Sequence, residues 1–450
     1  MKARDLPKQA DIKSCGLRGN AGRKRAGWGK RPGKIWARAH TRRLGWPSPC
    51  SSVIVTSKYS GLMLSITLAI AGSLSGQITD GSTFHEYRRT LNALERYRSL
   101  ASEDDSEILP AIKKPLEQGD HYAGVSRLIR LLTLIGDIPA ANVPADSDVY
   151  DARLVAAVKR FQTRHGLEPD GRLGKGTLAQ LNTPLSFRVR QLELALERWR
   201  RLPYDPSRPA IVINLPEFRL RAFDTGHQPA LEMKIVIGRA SKLQTPLLSS
   251  EIDTVIFRPY WNVPFNIQRK ELVPDIIRDP SYILKNGFEL VTPKGMVVAQ
   301  DTVSNTLLAQ LRSGTLHLRQ KQGPKNSLGL VKFVFPNKYD VFMHDTPAKS
   351  LFARARRDFS HGCIRLERAQ NLAEWVLRGE SDWRQDRIVA AMRGTESISV
   401  KLTSPIPVMT IYVTAVVAEN GEVHFFEDLY GKDAAFEREL AEALAGKNRG

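Results

Sequence analysis

The stretch Phe359-Ser360-His361-Gly362-Cys363-Ile364-Arg365-Leu366 carries the most specific chemical signal in this chain. The thiolate is the nucleophilic form of cysteine, and nearby imidazole and cationic groups favour it. Gly362 lets a substrate approach the backbone closely, and the amides that follow it are candidates for an oxyanion hole. The alternative, a small buried structural cysteine, fits poorly with serine, histidine, glycine and arginine as neighbours. The stretch therefore predicts a nucleophilic Cys363.

A second stretch, Tyr339-Asp-Val-Phe-Met-His344-Asp345-Thr346-Pro347, lies just upstream of the first. His344 closes a predicted strand, so its ring can project into a site at the end of that strand. A structural histidine is the alternative. The two stretches together predict a cysteine and histidine site.

Short β-rich runs surround this site and predict a β-rich domain over residues 208–402. The runs are Ile211–Ile213, Met233–Ile237, Thr254–Phe257, Val331–Phe335 and Val341–Met343. Asn337 predicts a turn between the last two runs. Residues 266–320 interrupt the strands with a mixed, more helical pattern, which we interpret as an insertion over the active site. Helices are expected at Ala369–Arg378 and Asp386–Arg393.

The C-terminal residues 403–450 are interpreted as a hairpin and a tail. Asn420-Gly421 between Thr410–Val417 and Glu422–Phe426 is a strong hairpin signal.

Helical periodicity dominates the residues before the β-rich domain. Residues 83–118 are expected to form a helical scaffold, interrupted at Asp104-Asp105-Ser106. Residues 119–183 predict a three-helix module with a turn at Pro169-Asp170-Gly171, and residues 188–201 predict a helix ended by Pro203. Helices followed by strands place the chain in the α+β class.

The charge of the chain is concentrated at its start. The 450 residues carry a net charge of +20, of which residues 1–60 contribute +13 from fifteen Lys or Arg and two Asp. That Arg-, Gly- and Pro-rich arm shows no apolar periodicity and is interpreted as disordered, so the high pI is no argument for nucleic-acid binding. Cys15 and Cys50 lie in the arm, which leaves Cys363 alone in the folded part and excludes a disulfide framework there.

Residues 61–76 predict an export signal. The run Leu62–Leu74 is uncharged and apolar, too short to span a bilayer, and followed by small residues. A signal normally begins a chain, so we expect translation to start near Val53 or Val55; a buried helix is the alternative. This segment is the only membrane contact that we expect.

The helical module resembles the peptidoglycan-binding domain of cell-wall enzymes. The residues that carry this resemblance are Ala157-Val158, Phe161-Gln162, Gly166-Leu167, Asp170-Gly171 and Thr177-Leu178. Most are core or turn positions, so a helical spacer without wall affinity stays an alternative.

His344, followed by fifteen residues and then Ser360-His361-Gly362-Cys363-Ile364-Arg365, resembles the signature of the L,D-transpeptidase (YkuD-type) catalytic domain. Pro259–Pro264, Gly323-Pro324, Asn326–Gly329 and Val331–Asn337 are similar to the large, YcbB-like branch of that family. The resemblance implies a periplasmic or cell-envelope enzyme of a Gram-negative-type bacterium. The resemblance also implies action on peptidoglycan stem peptides and acylation by carbapenem-type inhibitors.

The resemblance also implies roles for individual residues. Cys363 attacks the third residue of a stem tetrapeptide and releases D-Ala, and an acceptor amine resolves the thioester into a 3→3 cross-link. His344 is the proton acceptor and donor, His361 shapes the pocket or is the rival base, and Gly362 lends an oxyanion amide.

The substrate-binding expectations are less specific. Arg365 would hold a substrate carboxylate or secure the loop. Ser360 is a pocket hydroxyl or a turn residue. Tyr260 and Trp261 line the donor groove or pack under the insertion.

Other functions stay open at this point. An L,D-carboxypeptidase or a protein-to-wall ligase of the same fold differs only in the acceptor. A non-catalytic wall-binding protein is disfavoured by the intact His344 and Cys363. No cofactor is expected because neither a P-loop nor a dinucleotide fingerprint occurs, and no metal because the common zinc signatures are absent.

Overall fold

The structure, a computed structural model, describes residues 85–139, 148–203, 205–299 and 302–447, which belong to one compact unit. The basic arm, the apolar run 61–76, Cys15 and Cys50 lie outside the described residues. The helices are α1 (His85–Glu103), α2 (Val125–Leu134), α3 (Ala152–Arg164), α4 (Lys175–Leu181), α5 (Leu185–Arg200), α6 (Phe265–Ile267), α7 (Val273–Arg278), α8 (Tyr282–Lys285), α9 (Asn305–Ser313), α10 (Ala369–Val376), α11 (Gln385–Arg393) and α12 (Lys432–Lys447).

The strands follow α5 in the chain. They are β1 (Ala210–Asn214), β2 (Arg219–Asp224), β3 (Gln228–Gly238), β4 (Ser249–Phe257), β5 (Trp261–Asn262), β6 (Phe288–Val291), β7 (Val297–Val298), β8 (His317–Gln320), β9 (Val331–Val334), β10 (Met343–His344), β11 (Asp358–Ser360), β12 (Ile364–Leu366), β13 (Ile398–Ile411), β14 (Ala415–Val417) and β15 (Val423–Phe425). Helices that precede a strand-rich half confirm the α+β class.

The helical module is built from α2, α3 and α4, as the periodicity predicts. Asp151 caps α3 by accepting hydrogen bonds from the amides of Arg153 and Leu154. Gln162 is buried and ties the module together: its amide donates to Asp170 and Thr177, and its oxygen accepts from the Gly171 amide. Gln162 of the Phe-Gln pair and both residues of the Asp-Gly pair are therefore parts of one hydrogen-bond network.

The predicted helical scaffold is shorter than expected. Helix α1 ends at Glu103, and Ser106 adopts φ +56°. The residues beyond it are extended: Leu109 and Leu116 enter the core of the three-helix module, and Leu116 pairs with Leu173 in an isolated bridge. Burial in a neighbouring core, rather than local periodicity, decides the conformation of this segment.

Eight strands close into a barrel. Their order is β3-β12-β10-β9-β4-β13-β1-β2, and β2 pairs with β3 to close the barrel. A ninth strand, β11, pairs with the end of β3 at Ile237 and Gly238. Side chains alternate across a strand, so one set of residues fills the barrel interior. This apolar core includes Ile235, Phe333, Met343 and Ile364, all fully buried.

Residues 261–320 form a subdomain with its own apolar core, which includes Val273, Ile276, Leu290 and Leu311. It contains helices and a four-stranded sheet in the order β5-β8-β6-β7. The sequence predicts this insertion as mixed, and its first strand, β5, begins before residue 266. We refer to residues 261–320 as the insertion.

The C-terminal part differs from the prediction in two ways. The predicted strand Thr410–Val417 is divided: Thr410 and Ile411 end β13 in the barrel, and Ala415–Val417 pair with β15 in a hairpin. That hairpin shares an apolar core with α1 and α5. The predicted tail contains α12.

Candidate active site

Two adjacent parallel strands bring the predicted nucleophile and base to one face of the barrel wall. Met343 pairs with Ile364 and His344 with Arg365, and the Ile364 amide donates to Phe342 O at 3.1 Å. Met343 and Ile364 point into the barrel core, so His344 and Arg365 point to the opposite face. Cys363, one residue before Ile364, continues that alternation and lies on the same face as His344.

His344 is buried, and its tautomer is set by a backbone contact. Its Nδ1 lies 2.5 Å from the carbonyl oxygen of Asp345, which can only accept, so Nδ1 carries the proton and Nε2 presents a lone pair. The Asp345 carboxylate accepts from the Leu330 amide at 2.9 Å and pairs with Lys349 at 2.7 Å. Gly329 makes room for this carboxylate, because a Cβ there would lie 2.4 Å from Asp345 Oδ2.

The positive charges of Arg365 and Lys332 affect the pKa values of both His344 and Cys363. Burial, with a contribution from the positive charge of Arg365, lowers the pKa of His344 to about 3. Burial raises the pKa of the half-buried Cys363 thiol, while a backbone hydrogen bond from Phe342 and the charges of Lys332 and Arg365 act in the opposite direction. At neutral pH the resting pair is therefore a thiol and a neutral imidazole.

The turn that carries Cys363 is held by buried polar contacts. Ser360 Oγ donates to Cys363 O at 2.6 Å and accepts from the Gly362 amide at 3.1 Å. Thr245 Oγ1 donates to Gly362 O at 2.8 Å, and Gly362 adopts φ +114°. Ser360 is the buried last residue of β11, and its hydroxyl holds this turn; its role as a pocket hydroxyl stays a prediction.

This turn leaves its two amides in different states. The Gly362 amide is taken by Ser360, whereas the amide of Cys363 donates to no group among the described residues. The amide that is open to an incoming oxygen is therefore that of Cys363. Gly362 offers its amide only if Ser360 releases it.

His361 faces the insertion rather than His344. Its Nε2 lies 2.6 Å from Glu271 Oε1, and the imidazole is about three-quarters buried. Glu271 belongs to the π-helical turn Gln268–Leu272 between α6 and α7. No sequence pattern singled out Glu271, because nothing local to it indicates a partner 90 residues away.

Arg365 and Lys332 line the same face. The Nε of Arg365 is buried and has no hydrogen-bond partner among the described residues. Lys332 pairs with His344 in the β9–β10 ladder, and its ammonium lies 3.8 Å from the centroid of the Phe342 ring. The alternation of Val331-Lys-Phe-Val could have placed Lys332 on the site face once β9 was paired with β10.

Trp261 is the first residue of the insertion, and Tyr260 directly precedes it. Trp261 pairs with Gln320 and packs on the insertion core. The Tyr260 ring stacks under the Arg319 guanidinium at 4.6 Å. No hydrogen bond, ion pair or ring contact of the described residues joins either aromatic residue to Cys363 or His344.

The described residues contain neither a candidate metal site nor a candidate membrane span. Across residues 85–139, 148–203, 205–299 and 302–447, no group of three or more His, Cys, Asp or Glu side chains is arranged to hold a metal ion. Within the same described ranges, no helix combines the length and the apolar character that crossing a bilayer requires.

Comparison with known proteins gives the relatives of both parts of the chain. Residues 208–391 match the YkuD family, described as “L,D-transpeptidase catalytic domain”. Residues 123–181 match a family described as “Putative peptidoglycan binding domain”. A curated protein of Haemophilus influenzae, named “Putative L,D-transpeptidase”, is 30% identical over 245 residues, which are 54% of this chain and 48% of that protein. The matched region thus spans about half the length of this curated relative.

Two solved structures also match this chain. An L,D-transpeptidase from Stackebrandtia nassauensis is 11% identical, with a TM-score of 0.25, and the match covers 67% of this chain and 97% of that one. A fused Zn-dependent amidase/peptidase/peptidoglycan-binding domain-containing protein from Clostridium acetobutylicum is 12% identical, with a TM-score of 0.17 and coverage of 66% and 99%. These scores are too low to bear on the fold. The family matches, which hold the barrel strands from β1 to β12 with Cys363 and His344, show that this chain carries a YkuD-type L,D-transpeptidase catalytic domain preceded by a peptidoglycan-binding domain.

Proposed function

We propose that this protein is a peptidoglycan L,D-transpeptidase that forms 3→3 cross-links through a thioester on Cys363. The observation that carries the proposal is the placement of Cys363 and His344 on one face of adjacent parallel strands, inside the matched catalytic domain.

The first half of the reaction acylates the cysteine. The sulfur of Cys363 attacks the carbonyl carbon of the third stem residue, and the thiol proton passes to the lone pair on His344 Nε2. Collapse of the tetrahedral intermediate breaks the amide bond, and D-Ala leaves with that proton on its amine. The Cys363 amide is placed to stabilise the oxyanion, and Lys332 and Arg365 offset the negative charge that develops on the sulfur.

Arg365 is also suited to bind the donor. Its buried Nε has no partner among the described residues, and a guanidinium binds carboxylates by paired hydrogen bonds. A stem tetrapeptide ends in the carboxylate of D-Ala, next to the bond that breaks. We therefore assign the carboxylate of the leaving residue to Arg365.

The second half transfers the acyl group. The side-chain amine of an acceptor stem attacks the thioester, the carbon–sulfur bond breaks, and the cysteine is regenerated. Water in place of the amine yields a tripeptide, which is the L,D-carboxypeptidase outcome.

A wall substrate implies a location in the periplasm or cell envelope, which we include in the proposal. Residues 123–181 match a peptidoglycan-binding family, which supports recruitment to the wall. A carbapenem is expected to acylate Cys363, since it offers a strained carbonyl to the same nucleophile.

The test uses the purified protein and a wall disaccharide-tetrapeptide, with products identified by mass. Wild type is expected to yield a dimer that is one D-Ala lighter than two monomers, and Cys363→Ala to yield none. Tripeptide monomer alone would favour the carboxypeptidase. Unchanged substrate with folded wild-type protein would contradict the proposal and favour a wall-binding role.

A further inference from the structure

Two histidines are close to Cys363 in the fold, His344 on the neighbouring strand β10 and His361 two residues earlier in the chain, and their partners differ. His344 is oriented by a neutral carbonyl, that of Asp345, and lies among cations. His361 is oriented by the carboxylate of Glu271 at 2.6 Å. A carboxylate stabilises a protonated imidazole, as in carboxylate–histidine pairs of hydrolases, whereas neighbouring cations destabilise one.

The two halves of the proposed reaction place different demands on a base. In the first half, the proton taken from the thiol is soon returned to the leaving amine. In the second half, an incoming amine loses a proton as its nitrogen bonds to the thioester carbon, and that proton must be held while the thiolate leaves. Burial lowers the pKa of His344 to about 3, so its protonated form is costly.

Glu271 lies in a turn that buried hydrogen bonds hold in place. It belongs to the π-helical turn Gln268–Leu272, and π turns inside helices occur often at functional sites. Gln268, fully buried, fixes that turn: its side chain donates to Leu311 O and Leu316 O and accepts from the Leu318 amide, at 2.7, 3.0 and 2.7 Å. The carboxylate position is therefore set by the core of the insertion.

His361 is correspondingly fixed and adjacent to the nucleophile. Two residues along a chain span at most about 7 Å, so its Cα lies within that distance of the Cα of Cys363. Since Glu271 accepts from Nε2, the neutral ring carries its lone pair on Nδ1, which has no hydrogen-bond partner among the described residues.

We propose that Glu271 is a positioning residue for the second half of the reaction: it orients His361 and sets a negative charge 2.6 Å from its Nε2, so that Nδ1 takes the proton of the attacking amine. The amine nitrogen bonds to the thioester carbon, the carbon–sulfur bond breaks, and the electron pair leaves with the sulfur of Cys363. The proton ends on His361 and the new amide on the cross-linked stem. This inference rests on the proposed function.

The test compares Glu271→Gln with Asp275→Asn. Glutamine keeps the shape and an acceptor oxygen for Nε2 but removes the charge. Asp275 is a matched control, because it lies on the adjacent helix α7 and, within the described part of the chain, its carboxylate pairs only with the exposed Arg278. Two quantities are measured for each full-length protein: the rate of acyl-enzyme formation with D-Ala release, and the rate of cross-linked dimer formation.

For Glu271→Gln we expect acylation within about twofold of wild type and a KM for the donor that is unchanged. Dimer formation is expected to fall at least about tenfold, given that general-base catalysis contributes roughly 10²- to 10⁴-fold. Hydroxylamine, a small nucleophile that attacks thioesters without the help of a general base, is expected to capture the acyl-enzyme of this variant at the wild-type rate. Asp275→Asn should match wild type in every assay.

The other outcomes overturn the inference or its premise. Equal dimer formation by Glu271→Gln and wild type would show that the carboxylate has no role in acyl transfer. A parallel loss of acylation and dimer formation, with a raised donor KM, would make Glu271 a structural contact of the insertion. Absence of an acyl-enzyme in wild type would instead refute the proposed function.

Discussion

Replacing His344 with asparagine is expected to raise the free energy of unfolding relative to that of wild type as the pH falls. Asn can keep the donor to Asp345 O that His344 supplies through Nδ1, so the change removes mainly the titrating group. The folded-state pKa of His344 is lowered to about 3, against an ordinary value of 6.5. Between these values the unfolded wild-type chain binds a proton that the folded protein does not, so the stability of the wild type falls on acidification.

The magnitude follows from the two pKa values. At pH 7.5 the proton-linked difference is close to zero. At pH 5, protonation of His344 stabilises the unfolded wild-type chain by RT ln(1 + 10^1.5), which is about 2 kcal/mol. The folded protein binds almost no proton there and gains almost no stabilisation. The difference in the free energy of unfolding between His344→Asn and wild type should therefore shift by about 2 kcal/mol in favour of the variant.

Urea unfolding of both proteins at pH 7.5, 6.5, 5.5 and 5 measures this difference, and equal m-values check that the same surface is exposed. Comparing the two proteins at each pH cancels the carboxylates they share. In parallel, the His344 ring resonances of wild type should not titrate between pH 8 and 5. A constant difference across the series, or a titration near pH 6, would refute the buried neutral imidazole and the proton path built on it.

Three further outcomes test the rest of the site and the three-helix module. Lys332→Met removes a cation that lowers the pKa of Cys363, so alkylation of the thiol by iodoacetamide should be slower than in wild type at pH 8. The rise of the alkylation rate with pH should shift to higher pH in the variant. An unchanged pH profile would exclude an effect of Lys332 on the thiol. Gly362→Ala meets no atom closer than 3.8 Å but forces φ +114° on a residue with a Cβ, so a loss of about 1–3 kcal/mol in the free energy of unfolding is expected, and an unchanged melting temperature would contradict the turn geometry. Arg164→Met leaves the buried Asp137 carboxylate without its ion pair, which should cost about 3–5 kcal/mol, whereas Arg164→Met combined with Asp137→Leu should recover most of that loss in urea unfolding.

The sequence predicts much of the local structure, since local structure depends on nearby residues. The runs that become β1, β3, β4 and β9 are apolar and bounded by turn residues, and Asn337 forms the expected turn through hydrogen bonds to Phe335 and Val341. The helices of the three-helix module follow from their apolar spacing. Predicting that Cys363 and His344 share one site required the family resemblance as well, because neither stretch alone indicates which strands pair.

What the sequence does not predict depends on contacts between distant residues. Closure of the barrel through β2 and β3, and the division of the predicted strand at Ile411, follow from how the sheet and the hairpin each bury their faces. Glu271 had no local signal, since its partner His361 is contributed by another part of the fold. The engagement of the Gly362 amide by Ser360 likewise appears only once the turn is folded.

The position of β13 has a consequence for how the chain folds during its synthesis. This last barrel strand pairs with β4 on one side and with β1 on the other, where Ile211 meets Val408. Until residues 398–411 have been synthesised, β1 and β4 each keep an open edge, and such edges recruit other strands. Cys363 is thus made before its barrel can close, and non-local closure of this kind is slow. A chain cut before β13 should be an aggregating fragment rather than a smaller enzyme.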